Sequence, residues 1–376
     1  MQNIGEAMKF ANVKLYGEDF KFSLADVCVE NGVFCDSSDG EMVDCTGLMM
    51  IPGLVDIHTH GAIGYEAKDT SPEAIEALSS FEAEHGVTAF LPTTATEGTE
   101  ELKLAAANIA KAKKTVKGAK IGGIHMEGPY FSMKYKGAQN PEYIRKPNAD
   151  EFLEINEASG NIVKLISIAP ENEGAEEFVK AVKSKVRVAA GHTDADYEIM
   201  VKAIEWGVTQ LTHSFNAMRG LHHRNPGAIG AAIDSNIFCE LISDGMHVHP
   251  AMVRLFYKAV GAERLVLISD SVRSAYLPDG EYDSCGLKVF VKNGKATLED
   301  GTIAGSSSTL YDCLKQAVSF GIPIEDAVRA ATYNPAKAVG IDNEFGTIKK
   351  GRAADFLLVD ENLNLKAVYI DGKRIK

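Results

Sequence analysis

Positive charge is in short supply in this sequence. It carries 39 Lys and Arg against 52 Asp and Glu, a formal net charge of -13. A surface of that sign repels phosphate backbones and anionic headgroups, so neither a nucleic-acid partner nor a membrane partner is expected. No uninterrupted apolar stretch is long enough to span a bilayer. The first residues lack the basic-then-apolar order of a secretory signal. Cysteines are few and scattered: Cys28, Cys35, Cys45, Cys239, Cys285 and Cys313 make no Cys-x-x-Cys pair. Reduced, mostly buried thiols in a cytoplasmic protein are expected from them rather than a disulfide scaffold. Sustained internal repeats and low-complexity segments are also missing. What is present is apolar: 45% of the 376 residues are hydrophobic, enough for a sizeable core and too many for a disordered chain.

Both ends of the chain read as short strands split by turns. Phe10–Tyr16 and Ala25–Glu30 precede the turn signal Asn31-Gly32, and Ala354–Asp360 and Leu365–Gly372 repeat the pattern near the other end. Residues 1–50 and 345–376 are therefore expected to pair into one small β-sandwich domain, since two separate extensions would leave open edges. Between them, over 51–344, apolar runs alternate with helical patterns. Strands are expected near 51–58, 87–91, 120–126, 162–169, 186–190, 208–212, 237–242 and 264–270. Helices are expected from the Ser71-Pro72 start, over Asp194–Trp206 and Pro250–Val260, and over Ile324–Ala331 and Pro335–Val339. Such alternation predicts a parallel α/β architecture, and eight strands favour a closed (β/α)8 barrel. The turn signal Asn293-Gly294 marks a β-hairpin insertion near 279–300. The stretch Ala304–Thr309 then reads as a serine-capped start of the helix Leu310–Phe320, and as a loop able to line a pocket.

The chemistry sits at strand ends. The run Leu48–Ile57 leads into His58-Thr-His60, and alternate residues of a strand face one side, so the two imidazoles point together. Glu127, His192, His213 and Asp270 each follow a short apolar segment. Taken alone, each is a satisfied polar group at the end of a buried strand. Together they would converge on one face of a barrel, the carboxyl end, where barrel active sites lie. One carboxylate and two imidazoles, Glu127, His192 and His213, suit a divalent ion with an open position for water. His58 and His60 read either as a second ion site or as packing. His125, on the same strand face as Glu127, reads as a core or supporting group. His85 reads as a helix C-terminal residue.

The motifs Pro52-Gly-Leu-Val-Asp-Ile-His-Thr-His60, His125-Met-Glu-Gly-Pro129, Lys136-Gly-Ala-Gln-Asn-Pro141, Gly191-His-Thr193, Thr212-His-Ser-Phe-Asn-Ala-Met218, Asp244-Gly-Met-His247 and Ser269-Asp270 run in order over nearly the whole chain. They resemble the amidohydrolase superfamily and, within it, the N-acetylglucosamine-6-phosphate deacetylase family. The resemblance implies a barrel carrying a small β domain, with hydrolysis of N-acetyl-D-glucosamine 6-phosphate to D-glucosamine 6-phosphate and acetate. It implies Zn2+, Fe2+ or another divalent metal, one or two ions per subunit. Asp270 falls on the family's catalytic aspartate. Ala138, Gln139, Asn216, Ala217, Arg224, Asp244, Gly245, Met246, His247, Ile303, Ala304 and Gly305 fall in its substrate-binding segments, with Arg224 and His247 on the phosphate ligands. In the family these two reach a neighbouring subunit's substrate, which implies a homodimer. Some relatives have histidine where Gln139 stands, and glutamine cannot titrate, so a proton-transfer role there is in doubt. Two alternatives stay open: another amidohydrolase acting on a cyclic amide or an N-acyl amino acid, and a non-catalytic barrel.

Overall fold

The computed structural model describes residues 7–37, 39–284 and 286–376; Cys285 lies outside the described residues. Eight parallel strands form the middle of the chain: Leu54–Thr59, Val87–Thr94, Ile124–Glu127, Val163–Ile168, Arg187–Ala190, Val208–Leu211, Phe238–Leu241 and Leu265–Leu267. Each pairs with the next in chain order, and the second strand, Val87–Thr94, is buried along its whole length. Strands wrapped by helices on the outside and packed side chains within are buried on both faces, so they lack the apolar–polar alternation of a half-exposed strand. Closure comes just past the last strand. The Asp270 N–H donates to the His58 carbonyl at 2.8 Å, and the His60 N–H to the Ser271 carbonyl at 2.8 Å. The first and eighth strands are thus tied together at the level of the chemical residues. The structure is a nearly closed barrel with a separate β domain, as expected.

Helices fill the crossovers. One begins at Pro72, with the Ser71 hydroxyl accepting from the Ala74 N–H at 3.2 Å. Pro250–Val260 and Ile324–Ala331 have the expected bounds, whereas the helix expected from Asp194 begins at Tyr197, where the Asp196 side chain caps it. The helix after the eighth strand, Leu310–Ser319, is capped by Thr309 rather than by serine. Thr309 forms a capping box with Asp312, which answers its hydroxyl with a carboxylate on the cap's own N–H.

The apolar run Leu48–Ile57 does not form a single strand. Met49–Pro52 pairs antiparallel with Phe356–Val359 in the sheet of the chain ends, and Leu54–Thr59 enters the barrel. Gly53 is the switch: a Cβ there would lie 2.0 Å from the Thr88 hydroxyl, so a side chain would block the passage. Met8–Tyr16, Phe22–Glu30, Val33–Cys35, Glu41–Asp44 and Leu365–Ile370 complete most of that small sheet, which holds its own apolar cluster around Phe10, Met50 and Phe356. Cys28 and Cys35 are register partners there, and both are free. The insertion has one strand more than a hairpin: Gly280–Ser284, Leu287–Lys292 and Lys295–Thr297. Asn293 (φ 52) and Gly294 (φ 73) make the turn between the last two, both left-handed as a tight hairpin turn requires.

Candidate functional site

Five of the chemical side chains meet in one buried cluster at the carboxyl end of the barrel: His58, His60, Glu127, His192 and His213, with Asp270 at its edge. Glu127 is the hub. Its Oε1 lies 3.2 Å from His192 Nε2, 3.0 Å from His213 Nε2 and 3.4 Å from His58 Nε2, and its Oε2 lies 3.2 Å from His60 Nε2. The Nε2 atoms of His192 and His213 are 3.0 Å apart. Asp270 Oδ1 is 3.5 Å from both His58 Nε2 and His60 Nε2. Two donor sets share Glu127, each with donor atoms within 4.8 Å of one another: His58, His60 and Glu127, and Glu127, His192 and His213.

The backbone turns sharply to aim these groups. His192 (φ 47), His213 (φ 25) and Asp270 (φ 49) all lie in the left-handed region, uncommon for residues with a side chain. Each is held there. The His192 carbonyl accepts from the Ser132 N–H at 2.9 Å, the His213 carbonyl from the Asn216 N–H at 3.0 Å, and the Asp270 carbonyl from the Ser306 N–H at 2.8 Å.

The rings also have fixed tautomers. His192 Nδ1 faces the Tyr135 carbonyl at 3.0 Å, and His60 Nδ1 faces the Thr93 carbonyl at 3.1 Å. His58 Nδ1 faces a Glu240 carboxylate oxygen at 3.0 Å. All three partners only accept, so each Nδ1 carries the proton. A neutral ring of that tautomer presents a bare lone pair at Nε2, here pointed at carboxylate oxygens. Acceptor facing acceptor at these distances is repulsive unless positive charge lies between them. That charge is either a second proton on the imidazoles or a metal ion. With protons there, burial lowers His60, but hydrogen bonds donated to Asp270 and Glu127, together with their negative charges, outweigh it and raise the ring to about 9. Burial raises Glu127 and Asp270, yet the histidine charges hold both carboxyls below the usual range. As a metal, nitrogen and carboxylate donors in one buried cluster suit zinc and its borderline neighbours. The donor set fits a divalent cation.

Around the cluster opens a cleft of about 490 Å³. Ala138, Gln139, Asn216, Ala217, His247, Ile303, Ala304 and Gly305 line it, as does Lys136. Gln139 is buried and held from both ends, its Oε1 accepting from the Thr96 N–H at 2.8 Å and its amide nitrogen donating to Glu127 Oε2. Asp244 sits behind His247, with its carboxylate 2.7 Å from the imidazole Nδ1. Gly245 and Met246 are exposed beside it, outside the cleft lining. Arg224 is exposed on the loop after His213, its guanidinium at the His223 ring rather than in the cleft of its own chain. His249, like His85, has a local role: its Nδ1 caps Pro250–Val260 by accepting from the Ala251 N–H at 3.2 Å.

Two residues were missed by the strand-end reading. Glu240, in the middle of the seventh strand, accepts from His58 Nδ1 and from the His213 N–H at 3.1 Å. Gln210, inside the sixth strand, donates to its other oxygen. The only signal was an acid and an amide inside short barrel strands, Phe-Cys-Glu-Leu and Val-Thr-Gln-Leu, which does not tell a supporting group from a tolerated one. His125 joins them in a supporting role, its Nε2 2.8 Å from the Ser167 hydroxyl.

The model of the Amidohydrolase family matches residues 49–375. An N-acetylglucosamine-6-phosphate deacetylase of Vibrio furnissii is 33% identical, over 96% of this chain and 93% of its own. An N-acetylgalactosamine-6-phosphate deacetylase of Escherichia coli O157:H7 is 34% identical, over 86% and 87%. A mutant N-acetyl-D-glucosamine-6-phosphate deacetylase from Mycobacterium smegmatis, solved in complex with N-acetyl-D-glucosamine-6-phosphate, superposes with a TM-score of 0.91 at 29% identity, covering 99% of this chain and 100% of that one. With one family model spanning nearly its full length and relatives alike from end to end, the chain belongs to the amidohydrolase family.

Proposed function

We propose that this chain removes the acetyl group from N-acetyl-D-glucosamine 6-phosphate, giving D-glucosamine 6-phosphate and acetate. The observation that carries the reading is the buried cluster of Glu127, His192 and His213 with Asp270 beside it, at the floor of a cleft, in a chain of this family. Glu127, His192 and His213 would hold one divalent ion, zinc first and Fe2+ or another ion as alternatives, and His58 and His60 with Glu127 would hold a second. A divalent ion there supplies polarisation of the acetyl carbonyl and lowers the pKa of water. Asp270 accepts the proton of the attacking water and returns it to the nitrogen as the carbon–nitrogen bond breaks. Against the effect of burial, positive charge beside it, from His58 and His60 when those rings are protonated, holds its carboxyl below the usual range, so the group is ionised and able to accept a proton. Gln139 holds Glu127 in place and offers a neutral contact; it moves no proton.

Ala138, Asn216, Ala217, Ile303, Ala304 and Gly305 shape the sugar pocket, with Asp244, Gly245 and Met246 carrying His247. Arg224 and His247 read as phosphate ligands. Because Arg224 lies at the His223 ring and is not among the residues lining the cleft of its own chain, it would serve the neighbouring site of a homodimer, each subunit completing the other. The 6-phosphate then supplies remote binding energy that orients the acetamide. A cytoplasmic setting accords with the free thiols among the described residues. Among those residues, no helix is long and apolar enough to cross a membrane.

The Escherichia coli relative favours a second reading, N-acetyl-D-galactosamine 6-phosphate, which differs only at the sugar's C4 hydroxyl. Acetate release from both phosphates and from unphosphorylated N-acetylglucosamine, with metal analysis of the same sample, decides. A clear preference for the gluco phosphate supports the first reading. A preference for the galacto phosphate replaces it with the second, and no release from either overturns both.

A further inference from the structure

Beneath the cluster the barrel interior is polar where barrels are ordinarily filled by branched apolar chains. Gln210, Glu240, His58, His125, Ser167 and Thr212 are all fully buried there. His125, Ser167 and Thr212 hydrogen-bond in series, at 2.8 Å for each link. Glu240 has the most consequential contacts. Its Oε2 accepts from the His58 ring at 3.0 Å and from the His213 backbone at 3.1 Å, and its Oε1 accepts from the Gln210 amide. One side chain therefore touches a residue of each donor set. A buried carboxylate with no cation of its own costs free energy unless its oxygens are well supplied with donors. Here three N–H groups supply them, and two belong to the cluster above.

We infer that Glu240 is a positioning residue that fixes His58 as an Nε2 donor and anchors the strained His213 backbone, so that one buried carboxylate sets the geometry of both donor sets. The inference rests on the reading of His58 and His213 as ion donors. The role needs acceptor oxygens at this point of the strand. Leucine has none, so in Glu240→Leu the His58 Nδ1 proton and the His213 N–H lose their acceptor and nothing fixes the His58 ring. Glutamine can keep the role: its oxygen accepts from His58 and His213 while its NH2 meets the Gln210 amide oxygen, which has no partner among the described residues and can turn over to accept it.

The test is zinc binding measured by competition with a chromophoric chelator, on wild type, Glu240→Leu and Glu240→Gln, with folding checked by circular dichroism and thermal midpoint. The expected result is roughly 10- to 100-fold weaker zinc affinity in Glu240→Leu, the usual cost of losing a group that orients a ligand, with most of the affinity kept in Glu240→Gln. Loss of the buried charge alone would weaken both variants alike. Nitrogen-15 histidine NMR of zinc-loaded wild type, with His58→Asn to assign the ring, gives a readout free of any folding failure: the His58 proton is expected on Nδ1. Affinity within twofold of wild type in a folded Glu240→Leu, an equal loss in Glu240→Gln, or a His58 proton on Nε2 overturns the inference. Failure of the metal reading looks different, because the wild-type chain itself then takes up no zinc.

Discussion

The two donor sets share Glu127 but are built differently. His192 and His213 project from loops just past their strands, in left-handed backbone, and converge on one oxygen of Glu127 within 3.2 Å. His58 and His60 lie at the end of a regular strand, with His60 just beyond its last residue. They approach different oxygens of Glu127, at 3.4 and 3.2 Å, and both also face Asp270. The first set is compact, and its tie to the proposed base is electrostatic, through His213. The second is more open and meets it directly, at 3.5 Å from each ring. Backbone strain thus accompanies the tighter set, while regular structure with firm acceptors behind each ring accompanies the looser one. On this reading the first set carries the essential ion, and the second tunes Asp270 or holds an additional ion.

The largest expected effect comes from breaking the compact set. His192→Ala should lose both bound ion and turnover, checked by metal analysis and acetate release on one preparation; retention of both would leave the two sets without a functional difference. Next comes the group the second set touches. Asp270→Asn keeps the shape but cannot accept a proton, so kcat should fall by roughly two to four orders of magnitude while substrate still binds. Near-normal kcat would remove Asp270 from proton transfer.

Smaller effects sharpen the comparison. Arg224→Ala should raise KM for the phosphorylated sugar by roughly 10- to 100-fold, as expected for losing a charge-assisted contact, and change little for the unphosphorylated one. If Arg224 serves a neighbour, mixing Arg224→Ala with Asp270→Asn chains under verified subunit exchange should regain activity, since a heterodimer has one intact site. Exchange without recovery would place Arg224 in its own site. The mildest change is the His58→Asn/His60→Asn pair, expected to lower bound metal by about one ion while the compact set keeps its own. Unchanged metal content would leave these histidines as packing and hydrogen-bonding groups.

The sequence made the strand-end groups legible because barrel topology gives them a local signature: Glu127, His192, His213 and Asp270 each close a short apolar run. Those same runs also showed the eight barrel strands. What stayed hidden depended on contacts remote in sequence. Glu240 and Gln210 lie inside their strands, where nothing local separates a supporting polar group from a tolerated one; their meaning comes from His58, 182 residues from Glu240. The break of Leu48–Ile57 into two sheets was hidden for a similar reason, since the run is apolar on both sides of Gly53 and only the approach of Thr88 requires glycine there. Arg224 came only from the family resemblance, and it lies at the His223 ring, outside the residues that line the cleft of its own chain.

The most direct test of the central claim, that Glu127, His192 and His213 hold a divalent ion on which deacetylation depends, is acetate release from N-acetyl-D-glucosamine 6-phosphate by one preparation before and after removal of metal. The account predicts that the stripped protein, verified metal-free by elemental analysis, releases no acetate above background and recovers on adding zinc or Fe2+. Full activity in the verified metal-free protein would contradict it.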